Sequence, residues 1–142
     1  MMKRIFVWGL NFKTAPVEQR ELLACSEQEA QSLLPVLASI KGLNELMLLS
    51  TCNRVELYGV AEGYEPVKEL VEEFLHLKES NPKVKKHSFF VEGSQAIAHV
   101  FRVASGLDSM VVGESQIIWQ FKRAYQIAKE LGNTGKVLNR LY

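Results

Sequence analysis

The chain reads as an α+β domain: a ferredoxin-like βαββαβ sheet with helices on one face, followed by a C-terminal helical extension. Three observations predict this. Short apolar or alternating runs of strand length fall at 5–10, 46–49, 55–60 and 87–92. Helical spacing separates them in the order strand, two short helices, two strands, helix, strand, and merging the first two helices into one crossover gives a split βαβ pattern. Past residue 93 the pattern is helical to the end.

At 142 residues the chain fits one domain or one with a small extension, and 47% hydrophobic with 23% charged residues is ordinary for a soluble globular protein. No apolar run approaches the roughly 20 residues that span a bilayer. The basic start Met1-Met2-Lys3-Arg4 leads into an apolar run shorter than a signal core, so a cytoplasmic protein is expected. Cys25 and Cys52 make no disulfide framework, and with His76, His87 and His99 they show no zinc-ligand spacing. No metal is expected. Net charge is +1, unevenly spread: residues 1–80 hold 8 basic and 12 acidic side chains, residues 81–142 hold 9 and 4. The basic half suits a polyanion, although such an imbalance more often marks a solvated surface.

Ile5 to Leu10 is a short apolar strand. Thr14 is placed to cap the next helix, with Pro16 in its first turn. Ser26 and Glu29 match a capping box, Leu33, Leu34, Leu37 and Ile40 give that helix its apolar face, and Pro35 is expected to kink or shorten it. Gly42 and Asn44 turn the chain into a buried strand ending near Ser50. Thr51–Arg54 is then a hairpin-type connection. In the strand beyond, Val55 and Leu57 point one way, Glu56 and Tyr58 the other. Val67, Leu70, Val71, Phe74 and Leu75 mark an amphipathic helix broken at Asn81-Pro82-Lys83, and a last strand ends at Glu92. Ser94 opens a helix whose expected stripe is Ile97, Val100, Phe101 and Ala104. His99 lies about 150° from the centre of that stripe, facing water or a cleft. Ile117, Phe121, Ala124, Tyr125 and Ala128 are the core face of a long helix that Gly132 ends, and another helix starts after Thr134.

The Thr51–Arg54 connection packs a hydroxyl, a thiol, an amide and a guanidinium into four positions. A cysteine fixed at a strand end exposes its sulfur to a ligand, and the thiolate is the attacking species. Against this, free cysteine is usually a small buried hydrophobe. Gln116 and Gln120, one helical turn apart, offer paired amides to a polar ligand or simply meet solvent.

Three stretches carry a resemblance. Ser50-Thr51-Cys52-Asn53-Arg54-Val55-Glu56-Leu57-Tyr58, the run from Arg102 to Ile117, and Gly9-Leu10-Asn11-Phe12-Lys13-Thr14-Ala15-Pro16-Val17 closely resemble signature stretches of glutamyl-tRNA reductase, in the right order. The resemblance covers that family's N-terminal catalytic domain. It implies residues 1–92 as the ferredoxin-like part and 93–142 as a helical part leading to a connecting helix, with the NADPH-binding and dimerisation domains absent. It also implies an oxidoreductase of tetrapyrrole synthesis acting on glutamyl-tRNA. Cys52 would attack the glutamyl ester to form a thioester, which NADPH bound elsewhere would reduce to glutamate-1-semialdehyde. His99 would serve as base or proton donor, and Thr51, Asn53, Arg54, Ser109, Glu114, Ser115, Gln116 and Gln120 as substrate contacts. Arg54 has the chemistry to grip a glutamate carboxylate through two parallel bonds, unless it merely pairs with a surface acid. The whole protein would be a homodimer and this fragment a monomer. The chain departs from the family pattern at Trp119, where glycine is common, and at Phe12, where histidine or tyrosine is frequent; the Trp119 ring is expected to alter the pocket wall or pack on a missing domain.

The alternative of another class is a non-catalytic RNA-binding module with bases stacked on exposed sheet aromatics, of which Phe89 and Phe90 are a faint echo. A metal site of Cys52, His99 and an acid ranks third.

Overall fold

A computed structural model describes residues 3–108 and 115–141, Ser115 by its backbone alone. The elements are β1 (Arg4–Asn11), α1 (Val17–Leu23), α2 (Glu27–Ala38), β2 (Leu43–Ser50), β3 (Arg54–Ala61), α3 (Tyr64–Leu77), a 3-10 stretch Pro82–His87, β4 (Phe89–Glu92), α4 (Ser94–Ala104), α5 (Ser115–Glu130) and α6 (Lys136–Leu141). The four strands form one antiparallel sheet in the order β2-β3-β1-β4. In the central pair Arg4 lies opposite Ala61 and Asn11 opposite Arg54; on the other side of β1, Gly9 lies opposite Phe89.

Strand alternation sorts the core into two layers. Phe6, Trp8, Leu10, Leu46, Leu48, Val55 and Leu57 pack with Leu23, Leu34, Leu37, Leu70 and Phe74 of α1–α3. Ile5, Val7, Met47, Leu49, Tyr58 and Val60 pack with Val100, Val103, Ile117, Phe121 and Leu138 of α4–α6. Helices therefore cover both faces. The one-faced arrangement expected from the sequence holds for α1–α3 alone, because the strands carry apolar side chains on both sides and the second set also needs covering. This leaves neither sheet face open as a stacking platform among the described residues, and Phe89 and Phe90 are half-buried. No described helix is long and apolar enough to cross a membrane.

The outer edge of β2 is tied down as well. The Leu46 amide donates to the Asn133 carbonyl at 2.8 Å, and the Glu45 carboxylate accepts from the amides of Gly135 (2.7 Å), Leu138 (2.9 Å) and Val137 (3.2 Å). A carboxylate on the sheet thus caps α6 and fixes its start.

Local expectations were met unevenly. Thr14 does not cap α1; its hydroxyl accepts from the Asn11 amide inside the turn, and Pro16 stands at the cap position without a side-chain bond. Ser26 accepts from the Glu29 amide, but the Glu29 carboxylate goes to Lys78 instead of closing the box. Helix α2 runs through Pro35, which lies on its exposed side, where the carbonyl freed by the ring can turn to water. Helix α4 buries Ala96, His99, Val100 and Val103, leaving Ile97 and Phe101 exposed, so its core face is rotated from the expected stripe.

Candidate active site

The connection between β2 and β3 is held by its own first residue. The Thr51 amide donates to the Arg54 carbonyl at 2.8 Å, while the Thr51 hydroxyl accepts from the amides of Asn53 (3.1 Å) and Arg54 (3.2 Å). With three hydrogen bonds made this way, the bend is fixed and Cys52 is exposed at its tip. A second tie comes from α1: Arg20 donates through Nε to the Cys52 carbonyl (3.3 Å) and through Nη1 to the Ala15 carbonyl (2.8 Å). Thr51, Cys52, Asn53, Arg54, Gln116, Ile117 and Gln120 line a small hollow of about 30 Å³. Beside it, sharing Gln120 as a wall and reaching Ser50, lies a larger one of about 300 Å³ floored by Cys25, Ala30 and Leu48. The smaller holds the exposed thiol; in the larger, burial pushes the Cys25 thiol up to about 11 and leaves it a poor nucleophile.

Behind the bend, Arg54, Glu56 and Tyr58 point from β3 into the α4–α6 layer, where charge is rare. Arg54 is 1% exposed. Its Nη1 donates to both Glu56 oxygens at 3.1 Å, and its Nη2 donates to the Asp108 carbonyl (2.6 Å) and carboxylate (3.2 Å). Lys13 closes the far side of Asp108 at 2.7 Å, and the Phe12 ring centroid lies 5.9 Å from the guanidinium carbon. Glu56 also meets His99 Nε2 at 2.9 Å and accepts a short bond from the Tyr58 hydroxyl. Gly9 lies opposite Glu56 on β1, and a Cβ there would fall 2.3 Å from the Val55 carbonyl oxygen and 2.7 Å from Glu56 Cα. Glycine at that position lets the backbones of β1 and β3 come this close beside Glu56.

The electrostatics follow from these contacts. Burial opposes charge on Glu56, but the His99 hydrogen bond and the Arg54 guanidinium outweigh it and hold the carboxyl below the ordinary carboxylate range. Asp108 is likewise held low, against burial, by Lys13 and Arg54. Tyr58 is pushed well up by burial and by the neighbouring Glu56 charge, so its hydroxyl stays a donor. Arg54 is raised, as its acidic neighbours outweigh desolvation.

The structure brings together Thr51, Cys52, Asn53, Arg54, Gln116 and Gln120 among the residues the sequence singled out. Gln116 is exposed and Gln120 half-buried, on the first turns of α5. Ser109 and Glu114 lie outside the described residues, as does the side chain of Ser115. His99 faces neither water nor an open cleft: it is 6% exposed and bound to Glu56, and among the described residues no hydrogen bond joins it to Cys52. Arg54 faces inward, and the two acids it grips belong to its own chain. Trp119 is 69% exposed and lines neither hollow. Among the described residues no three His, Cys, Asp or Glu side chains are placed to hold a metal. Sequence reasoning missed Arg20, Glu56, Asp108 and Lys13. The available signal was the alternation Arg54-Val55-Glu56-Leu57-Tyr58, which put two charges and a phenol on one side of a strand with hydrocarbon on the other.

Comparison with known proteins places this arrangement. Residues 8–142 match the family described as glutamyl-tRNAGlu reductase, N-terminal domain. A glutamyl-tRNA reductase of Aquifex aeolicus (strain VF5) is 52% identical over 141 residues, covering 99% of this chain and 34% of that protein. One from Sulfurihydrogenibium sp. (strain YO3AOP1) is 46% identical over 141 residues, 97% of this chain and 32% of that protein. The solved structure of glutamyl-tRNA reductase from Methanopyrus kandleri superposes with a TM-score of 0.73 at 32% identity, over 96% of this chain and 31% of that one. The chain spans about a third of the length of the curated relatives it matches.

Proposed function

The chain belongs to the glutamyl-tRNA reductase family through that family's N-terminal domain, and we propose that Cys52 is the nucleophile that takes the glutamyl group from glutamyl-tRNA. The observation that carries this is an exposed thiol at the tip of a fixed bend, walled by Thr51, Asn53, Gln116 and Gln120. The sulfur attacks the ester carbonyl, the carbon–oxygen bond to the tRNA 3′ end breaks, and the thiol proton is balanced by the one the departing hydroxyl receives. A thioester remains on Cys52. Covalent capture of this kind divides one hard step into two.

In this reading the Glu56–His99 pair has the form of a carboxylate that orients an imidazole. With Nε2 bound to Glu56, Nδ1 is the nitrogen left for proton exchange, and serving the thiol or the leaving oxygen requires His99 to leave the buried position it holds here. Arg54 holds the wall of the hollow, and its direct grip on the substrate carboxylate requires it to yield a bond to Asp108 or Glu56. Ser109, Glu114 and Ser115 belong to the reading through the family motif. The order β2-β3-β1-β4 supports reading residues 1–92 as a ferredoxin-like unit.

The family implies NADPH, and the residues here do not fit it: no strand runs into a G-x-G-x-x-G turn. We assign hydride delivery, dimerisation and the aldehyde product of tetrapyrrole synthesis to polypeptide beyond these residues. The test is to incubate the chain and its Cys52→Ser variant with radiolabelled glutamyl-tRNA and examine the denatured protein for bound label. The expected result is label on the parent, released by neutral hydroxylamine, and none on the variant. Label that survives the substitution, or that maps to Cys25, overturns the assignment.

A further inference from the structure

The 3-10 stretch stands where a polyanion approaching Cys52 would meet it. Strand β1 ends at Asn11 opposite Arg54, so the Cys52 bend lies just past that end of the sheet. Strand β4 runs antiparallel to β1 with Phe89 opposite Gly9, so residues before Phe89 lie toward the same end. Two strand spacings, about 10 Å, separate β3 from β4.

Between Asn81 and Ser88 the sequence holds Lys83, Lys85, Lys86 and His87 and no acid. The presentation is fixed. Asn81 caps the Lys83 amide at 2.9 Å, Val84 is buried at 2% exposure, and Ser88 bonds back to the Lys85 carbonyl. The lysines on either side of the Val84 anchor therefore face solvent from a short rigid turn. Lys85 pairs with Glu72 at 2.9 Å, and Glu79 is the other carboxylate close in sequence. Lys83 and Lys86 are exposed and have no ion pair among the described residues. Next to the turn is a hollow of about 340 Å³ lined by exposed Tyr64, half-buried Phe89 and Phe90 and buried Trp8, with Lys68, Glu72 and Lys85 also on its walls. Unpaired lysines alone would suit any acidic surface. Their place toward the Cys52 end of the sheet favours the RNA substrate that must reach that thiol, because its phosphates arrive with it.

We propose that Lys83 and Lys86 hold the phosphate backbone of the RNA substrate near its acceptor end and steer that end toward Cys52. This deepens the assignment of glutamyl-tRNA as substrate and rests on it. The lysines position the substrate and take no part in the chemistry at sulfur.

The experiment compares the chain with Lys83→Ala/Lys86→Ala and with Lys83→Arg/Lys86→Arg, each first checked for an unchanged melting curve. Binding of uncharged tRNA is followed by fluorescence anisotropy across a salt series. The alanine pair should weaken binding by about 3- to 10-fold at low salt and reduce the slope of log K against log salt by about 2, since each lost phosphate contact removes roughly one. The arginine pair should retain the parental slope. In parallel, acylation of Cys52 by a small glutamyl thioester should proceed equally in all three. An unchanged slope in the alanine pair overturns the proposal, even where acylation proceeds. Absence of acylation in the parent overturns the nucleophile assignment and leaves the salt result to stand by itself.

Discussion

The two sides of β3 meet the same demand in opposite ways. Val55 and Leu57 are 1% exposed and surrounded by hydrocarbon from α1–α3. Arg54, Glu56 and Tyr58 are no more exposed, yet their polar atoms find partners in one another, in Asp108 and in His99. The first side stabilises by removing apolar surface from water, a non-directional effect that tolerates a similar shape. The second incurs desolvation and offsets it only while every partner is in place. The side with charge is the side that leads to the Cys52 bend. The network joins β3, the turn after β1 through Lys13, the turn after α4 through Asp108 and the middle of α4 through His99. It sets the geometry around the thiol in a way hydrocarbon would not, because hydrogen bonds fix direction.

The contrast is broken most sharply by removing one member from each side. Arg54→Ala leaves Glu56 and Asp108 buried without their shared cation, and is expected to cost about 3–5 kcal/mol. Leu57→Ala, from the hydrocarbon side, is expected to cost about 2–4 kcal/mol through lost transfer energy and a residual cavity. Urea unfolding measures both. The sharper difference lies in repair: Leu57→Met should recover most of the loss, whereas Arg54→Lys should not, since an ammonium cannot serve Glu56 and Asp108 with a planar fork. Equal rescue on the two sides would remove the distinction.

A smaller effect separates the sides by pH. Glu56 and Asp108 are both held below their ordinary values of 4.5 and 3.8. A group lowered by folding binds its proton more readily when unfolded, so its contribution is present above the ordinary value and lost as pH falls through the lowered one. The urea midpoint should therefore drop below about pH 4.5. Glu56→Gln/Asp108→Asn should start lower and show a flatter acid limb. A parental acid limb retained in that variant would mean that other carboxyls control it.

The hydrocarbon side was legible in the sequence and the charged side was not, for a physical reason. Val67, Leu70, Val71, Phe74 and Leu75 are buried as their spacing predicts, because apolar periodicity depends only on the helix that carries it. The same rule misplaced α4. It counted Ile97 and Phe101 as core and His99 as outward, when the partner that buries His99 is a carboxylate 43 positions earlier. Arg54 and Asp108 are 54 positions apart and meet only once β3 and the turn after α4 are side by side. The bend that carries Cys52 was legible as a polar connection between two strands, whereas whether its sulfur lies exposed or buried was not, and the fold settles it. The fixing of that bend by Thr51 and Arg20 was not legible either, because Arg20 reaches it from another helix.

The smallest expected effect concerns the two thiols, one on each side of the same question. Cys25 is half-buried between α1 and α2, with its amide on the Ser50 hydroxyl and its sulfur 3.4 Å from the Leu23 carbonyl. Burial raises it from 9.0 to about 11, and nearby Lys78 only partly opposes this. At pH 8 that shift lowers its thiolate fraction on the order of 100-fold, and alkylation proceeds through the thiolate. Cys52 is exposed, so a limiting dose of iodoacetamide on the native chain should modify Cys52 and leave Cys25 until urea unfolds the protein, as read by peptide mass. The shift also has a stability sign. A thiol raised by folding holds its proton more firmly in the native state, so its contribution is full below pH 9 and is lost as pH rises toward 11. Cys25→Ala should flatten that alkaline limb. Comparable native labelling of the two sulfurs would show that exposure and burial do not divide their chemistry, and Cys52 would lose its claim to be the one poised to react.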